Sequence, residues 1–220
     1  MSKKLTVLVM FFALPLMMFA KKVEISASPA DAEIWLNGKK VGIGAIEIDI
    51  KKNDCVNIQI VREGYLTLIK EYCNQKGMPK IPNTDHLQLK NDESYEASSK
   101  SDIANVDVVL KPKKGDVSDN WKSAIRSITD YFDALEVSDS DVKYLRSAWV
   151  VDNFAGYVVR TRVIFRLTNE SPQEFKLKIV TERASSNASS KHDERFDEWD
   201  RVLKKYNTLL EEVSSKIYAY

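Results

Sequence analysis

Ile25-Ser26-Ala27-Ser28-Pro29-Ala30-Asp31-Ala32-Glu33-Ile34-Trp35-Leu36-Asn37-Gly38-Lys39-Lys40-Val41-Gly42 is the stretch that decides the fold of the first half of this 220-residue chain. Val23 and Ile25 alternate with Glu24 and Ser26, the period of a half-buried strand. Ser28-Pro29-Ala30-Asp31 reads as a turn, and alternation resumes over residues 32–36. Asn37-Gly38 is a two-residue hairpin turn, because both types tolerate positive φ. Lys39-Lys40-Val41 returns, Gly42-Ile43-Gly44 breaks, and residues 45–50 alternate again. Short strands so closely spaced predict a small all-β sandwich.

Working outward, Val56, Ile58 and Ile60 mark a further strand and Leu66-Thr67-Leu68-Ile69 its return, turning at Arg62-Glu63-Gly64-Tyr65. Cys55 and Cys73 are equally far from Gly64, so a symmetric hairpin sets them face to face. A disulfide there is expected, in an oxidising compartment. Closing so short a loop restricts the unfolded chain by about 3 kcal/mol on the entropy account.

The opening stretch, with Gly64-Tyr65 after it, resembles a PEGA domain. The likeness covers about residues 22–73, and Val106-Asp107-Val108-Val109-Leu110, within residues 105–111, is expected as the closing strand. The chain departs from the family pattern at Gly44-Ala45, where Thr-Pro is usual, and at Asn53-Asp54, where Gly is usual. The resemblance implies an accessory β-sandwich module of a bacterial envelope protein, with no catalytic residues.

Residues 91–104 are rich in Ser, Asp and Glu and read as an exposed loop; Lys111-Pro112-Lys113-Lys114-Gly115 reads as a linker. The expected organisation is a leader over residues 1–20, a β-sandwich domain over 21–112 and an α+β domain over 116–220 that folds by itself. In the last, Ser118 or Asp119 caps a helix with Trp121, Ile125, Ile128, Phe132 and Leu135 on one face. Strands follow over residues 142–151, 157–167 and 175–183, then a helix whose apolar side runs from Phe196 through Trp199, Val202, Leu203 and Tyr206 to Ile217. The α-β-β-β-α order puts both helices on one face of an antiparallel sheet, similar in element order to helix-grip domains of envelope assembly proteins.

The opposite sheet face is the one feature that reads as a site. Arg160, Arg162 and Arg166 alternate on one strand, Lys176 and Lys178 on the next, with Arg146 nearby and Glu182 among them. Guanidinium groups that close repel unless an anion or carboxylate lies between them. Trp35, on the strand face opposite Ile34 and Leu36, is a second candidate, as an aromatic on which a sugar ring can stack.

Met1-Ser2-Lys3-Lys4, an apolar run of about 16 residues and Lys21-Lys22 have the layout of a secretory signal, shorter than the roughly 20 residues a spanning helix needs. Cleavage after Ala20 is expected, with an uncleaved membrane anchor as the alternative; the absence of a nearby Cys argues against lipidation. A formal net charge of +1 excludes gripping a polyanion by bulk charge, so no nucleic acid is expected. Two His residues, His86 and His192, offer no relay, and neither a phosphate loop, a nucleophile elbow nor a metal-ligand motif is present. The expectation is therefore a periplasmic or secreted, non-catalytic envelope module without metal or cofactor. It scaffolds or recruits a protein or an anionic glycan; the alternative is an envelope hydrolase whose site the sequence does not display.

Overall fold

The computed structural model describes residues 20–186 and 193–218; residues 1–19 of the expected leader and His192 lie outside them. The described chain is mostly β, with several antiparallel sheets and few helices. It divides into two compact units, one formed by residues up to Glu63 with Thr67–Leu89, the other by Gly64–Leu66 with everything from Lys90 on.

The first unit holds β1 (Lys21–Ser28), β2 (Glu33–Leu36), β3 (Lys39–Ile43), β4 (Ala45–Ile50), β5 (Cys55–Val61), β6 (Leu68–Cys73) and β7 (Thr84–Gln88). They form two sheets, ordered β4-β1-β7 and β3-β2-β5-β6. The alternation seen in the sequence is what buries Val23 and Ile25 on β1, Ile34 on β2 and Val56, Ile58 and Ile60 on β5. Each such side chain contributes about 1.5–3 kcal/mol by leaving water. Asn37 (φ 48°) and Gly38 (φ 80°) make the expected hairpin turn. Gly44 (φ 72°) allows the second break, where a Cβ would run into the Ala30 carbonyl. Cys55 and Cys73 are direct partners in the β5–β6 register, 4.1 Å apart at Cα, and are joined by a disulfide.

The second unit starts earlier than the sequence suggests, at Lys90 rather than after residue 112. Residues 91–104, expected as a loop, contain α1 (Glu93–Glu96), capped by Asp92, and β8 (Ser98–Lys100). Polar composition disguised them because Asp92, Ser94 and Ser98 are buried and satisfied by hydrogen bonds instead of facing water. Similarly, β9 (Val108–Leu110) does not close the first unit. It pairs with the later strand at Phe175–Leu177, where Leu110 joins the second core.

Helix α2 (Val117–Thr129) is capped by Asp116, whose carboxylate accepts from the Asp119 amide at 2.8 Å, two to three residues ahead of the predicted caps. Five strands follow: β10 (Leu135–Asp139), β11 (Tyr144–Ser147), β12 (Val150–Asn153), β13 (Tyr157–Glu170) and β14 (Gln173–Ser185). The single strand predicted over 142–151 is two, because the pairing with β13 breaks between Arg146↔Ile164 and Val150↔Thr161. There the Ser147 hydroxyl accepts from the Val163 amide at 3.0 Å, and Trp149 sits in the break.

The predicted final helix is corrected most. Only α3 (Leu209–Tyr218) is α-helical, with short 3-10 turns at Asp193–Arg195 and Lys204–Tyr206; Asp197–Glu198 is strand β15 on β14, and Arg201–Leu203 is strand β16 on β8. Trp199 donates its amide to the Thr181 carbonyl at 3.0 Å. The apolar spacing is real, since Trp199, Val202, Leu203 and Tyr206 are all buried, but long-range strand pairing claims the backbone. Asp200, between the two strands, pairs with Lys100 at 3.6 Å. The core of this unit lies between α2, α3 and one face of β13 and β14, with Trp121, Phe165 and Phe175 stacked in series at 5.4 and 5.2 Å.

Candidate functional site

On β13, Val159, Thr161, Val163 and Phe165 point into that core, so Arg160, Arg162, Ile164 and Arg166 point the other way. On β14, Lys176, Lys178, Val180 and Glu182 share this outward face, and on β11 Tyr144 and Arg146 do. The register places Ile164 directly between Arg146 and Lys178, with Arg162 and Arg166 two residues either side along its strand. Four cations thus surround one aliphatic side chain, the cross-strand pair about 5 Å away and the same-strand pair about 7 Å.

Carboxylates enter this array sparingly. Glu136, at an irregularity in β10, lies 3.0 Å from Arg146 Nε and 3.7 Å from Arg162 Nη1. The first contact is an ion pair out of line for a hydrogen bond, and Arg162 Nε is buried with no acceptor. Asp107 is shared in the same way, 2.8 Å from Arg166 and 4.0 Å from Lys176. Lys178 has no carboxylate within 4.0 Å among the described residues. Burial, then the adjacent Arg146 guanidinium, disfavours the charged form of Arg162. Apart from the Arg160–Glu182 pair, five cations with two carboxylates among them leave a local excess that a chain of net charge +1 does not reveal in its totals.

Arg160 is different. It is 3% exposed, donates from Nε to Glu182 at 2.6 Å, and lies between the rings of Trp149 and Phe196 at 4.3 and 4.1 Å. Arg162 stacks on the same Trp149 at 4.1 Å. Arg160 therefore has almost no surface to offer a partner; it anchors the end of the face where Val158, Ala184 and Phe196 cluster. Trp149, which the sequence reading passed over, is the residue that props the two guanidiniums. Its signal is its place between two strand halves, which only the pairing pattern makes visible.

Trp35 belongs to the other unit. It is half-buried on β2, across from Lys40 and Gln59, with its indole N–H donated to Glu33 at 3.2 Å. The same unit has a cavity of about 380 Å³ lined by Tyr72, Met78, Pro79, Ile81, Pro82 and the pair Lys70–Asp85. Asp85 accepts from the Tyr72 hydroxyl at 2.7 Å and pairs with Lys70. Burial, then the hydrogen bond to Asp85 and the Asp85 charge, push the Tyr72 phenol well above its usual range. Among the described residues, the one group of three metal-ligand side chains within 4.8 Å is Cys55, Glu71 and Cys73, and its sulfurs are bonded to each other. No helix among the described residues is long and apolar enough to cross a membrane. No family model matches the chain, and no curated protein matches it.

Proposed function

We propose that this chain is an exported, non-catalytic module of the cell envelope that recruits an acidic partner through the outward face of β11, β13 and β14. The observation that carries the reading is the cation excess there: among the described residues, Arg146, Arg162, Arg166, Lys176 and Lys178 have Glu136 and Asp107 as their carboxylate partners within 4.0 Å, Glu182 being taken up by Arg160. Side chains so placed repel one another, and an anion on the face relieves that repulsion. The Cys55–Cys73 disulfide supports export, because such bonds persist in oxidising compartments. So does the basic-apolar leader, which reads as a signal for a periplasmic or secreted chain. The two sheets of the first unit suit a PEGA-like sandwich that serves as an accessory module, and the second unit shares its helices-on-one-face plan with helix-grip domains.

Crosslinking in intact cells followed by mass spectrometry tests this. The wild-type chain is expected to capture a partner that the Arg166→Gln/Lys178→Gln variant, with an unchanged melting curve, does not. Identical captures from both proteins would reduce the face to ordinary solvated surface.

A further inference from the structure

The outward face is not uniformly basic. Read across the register, Tyr144 lies beside Arg166, Arg166 beside Lys176, and Lys176 beside Val109. In the next row, Val137 lies beside Arg146, Arg146 beside Ile164, and Ile164 beside Lys178. In the row after it, Arg162 lies beside Val180. Aliphatic and aromatic positions therefore interleave with cationic ones in two directions, and the rim valines are open to water, Val109 at 43% and Val137 at 36%. A simple anion would leave these apolar positions uncovered. A sugar acid presents carboxylates but no apolar side chains to set against them.

Resting on the proposed function, we infer that the occupant is an acidic polypeptide segment in extended form, with carboxylates alternating with apolar side chains on the side that meets this face. The spacing carries the assignment. Along an extended chain, side chains on one side recur about every 7 Å, as Arg162, Ile164 and Arg166 do along β13. A partner of this pattern lying along β13 sets its carboxylates among Arg162, Lys178, Arg146 and Arg166 and its apolar side chains on Ile164 and Val180. The excess over Glu136 and Asp107 supplies the complementary charge, and the Lys178 ammonium, with no carboxylate within 4.0 Å among the described residues, supplies a donor for the partner. Pairing of this kind sets orientation and association rate and weakens with added salt.

Three probes against the full chain separate the possibilities, with Trp149, stacked on Arg162, as a fluorescent reporter on the face. They are a peptide alternating Glu and Val, a peptide of the same composition ordered Glu-Glu-Val-Val, and an oligogalacturonate of equal charge. The alternating peptide is expected to bind at low salt about tenfold more tightly than the permuted one. Lys178→Gln is expected to weaken that binding several-fold; Lys178 has no ion pair within 4.0 Å among the described residues, so its loss breaks none there, and an unchanged melting curve checks that the fold is kept. Equal binding of both peptides would overturn the alternation and leave the acidic-partner reading in place. Tighter binding of the oligogalacturonate would overturn the polypeptide. No binding by any of the three at low salt would overturn both this inference and the proposed function beneath it.

Discussion

The two units meet the same physical demand in opposite ways. Among the described residues, every buried side chain of the first is hydrophobic, whereas every buried polar or charged side chain lies in the second. The first closes its sheets with aliphatic alternation and one covalent bond. In the second, Arg201 is 9% exposed and spends its guanidinium on the Ser98 hydroxyl at 2.8 Å and the Ser98 and Tyr95 carbonyls at 3.0 and 3.2 Å. Arg183 reaches the buried Asp92 at 3.1 Å, and Asn105 bridges Thr181 and Trp199. Apolar burial tolerates many arrangements of about the right volume; a buried guanidinium accepts only the one that satisfies it. The second unit is therefore specified by contacts between segments far apart in sequence, and it should be the less tolerant of being cut or altered.

The largest effect tests that directly. A fragment of residues 116–220, which the sequence suggested would fold alone, lacks β8, β9, Asn105 and all three acceptors of Arg201. It is expected to be molten, without near-ultraviolet dichroism, while residues 90–220 give a cooperative melt. A cooperative 116–220 fragment would erase the contrast between the units. Next comes Arg201→Met, which strands the Ser98 and Tyr95 acceptors in a buried site and is expected to cost about 3–4 kcal/mol in urea unfolding. A loss under 1 kcal/mol would mean that the buried charge is incidental.

In the first unit the corresponding bond is covalent. Cys55→Ser with Cys73→Ser opens a loop with a sequence separation of 18 and is expected to destabilise that unit by about 3 kcal/mol. Its effect should be confined there, with the unfolding transition of the second unit unmoved, which hydrogen exchange resolved by residue would show.

The same contrast explains what was legible in the sequence. The Cys55–Cys73 partnership, the Asn37-Gly38 turn and the inward row Val159, Val163, Phe165 follow from period and symmetry, which are local properties. The face bearing Arg160, Arg162 and Arg166 was legible for the same reason. What was not legible depended on distant partners. Asp92, Ser94 and Ser98 look like solvent-loving residues until Arg183 and Arg201 arrive from about a hundred residues away. Phe196, Trp199, Val202 and Tyr206 keep helical spacing while the backbone over residues 197–203 between them pairs with β14 and β8. Arg160 was grouped with its neighbours by alternation alone, and only the positions of Trp149, Phe196 and Glu182 separate it from them.

The smallest expected effect concerns Asp85, a carboxylate in the wall of the first unit's cavity. Burial by itself pushes the Asp85 carboxyl up, but the hydrogen bonds from Lys70 and Tyr72, with the Lys70 charge, outweigh it and hold the group below the usual carboxylate range. A depressed pKa means that the folded state binds the proton less readily than the unfolded chain does. Asp85 therefore stabilises the unit fully above the ordinary carboxylate pKa, and that contribution is lost as pH falls through the lower, folded value. Asp85→Asn removes the contribution at every pH. The gap in urea midpoint between wild type and Asp85→Asn should be widest near pH 7 and should close towards pH 2.5. Because Lys70 is 43% exposed on its side chain, solvent screens the pair and the gap should stay small even at its widest. A gap that instead opens on acidification would mean that burial dominates and that the carboxyl is carried protonated into the fold.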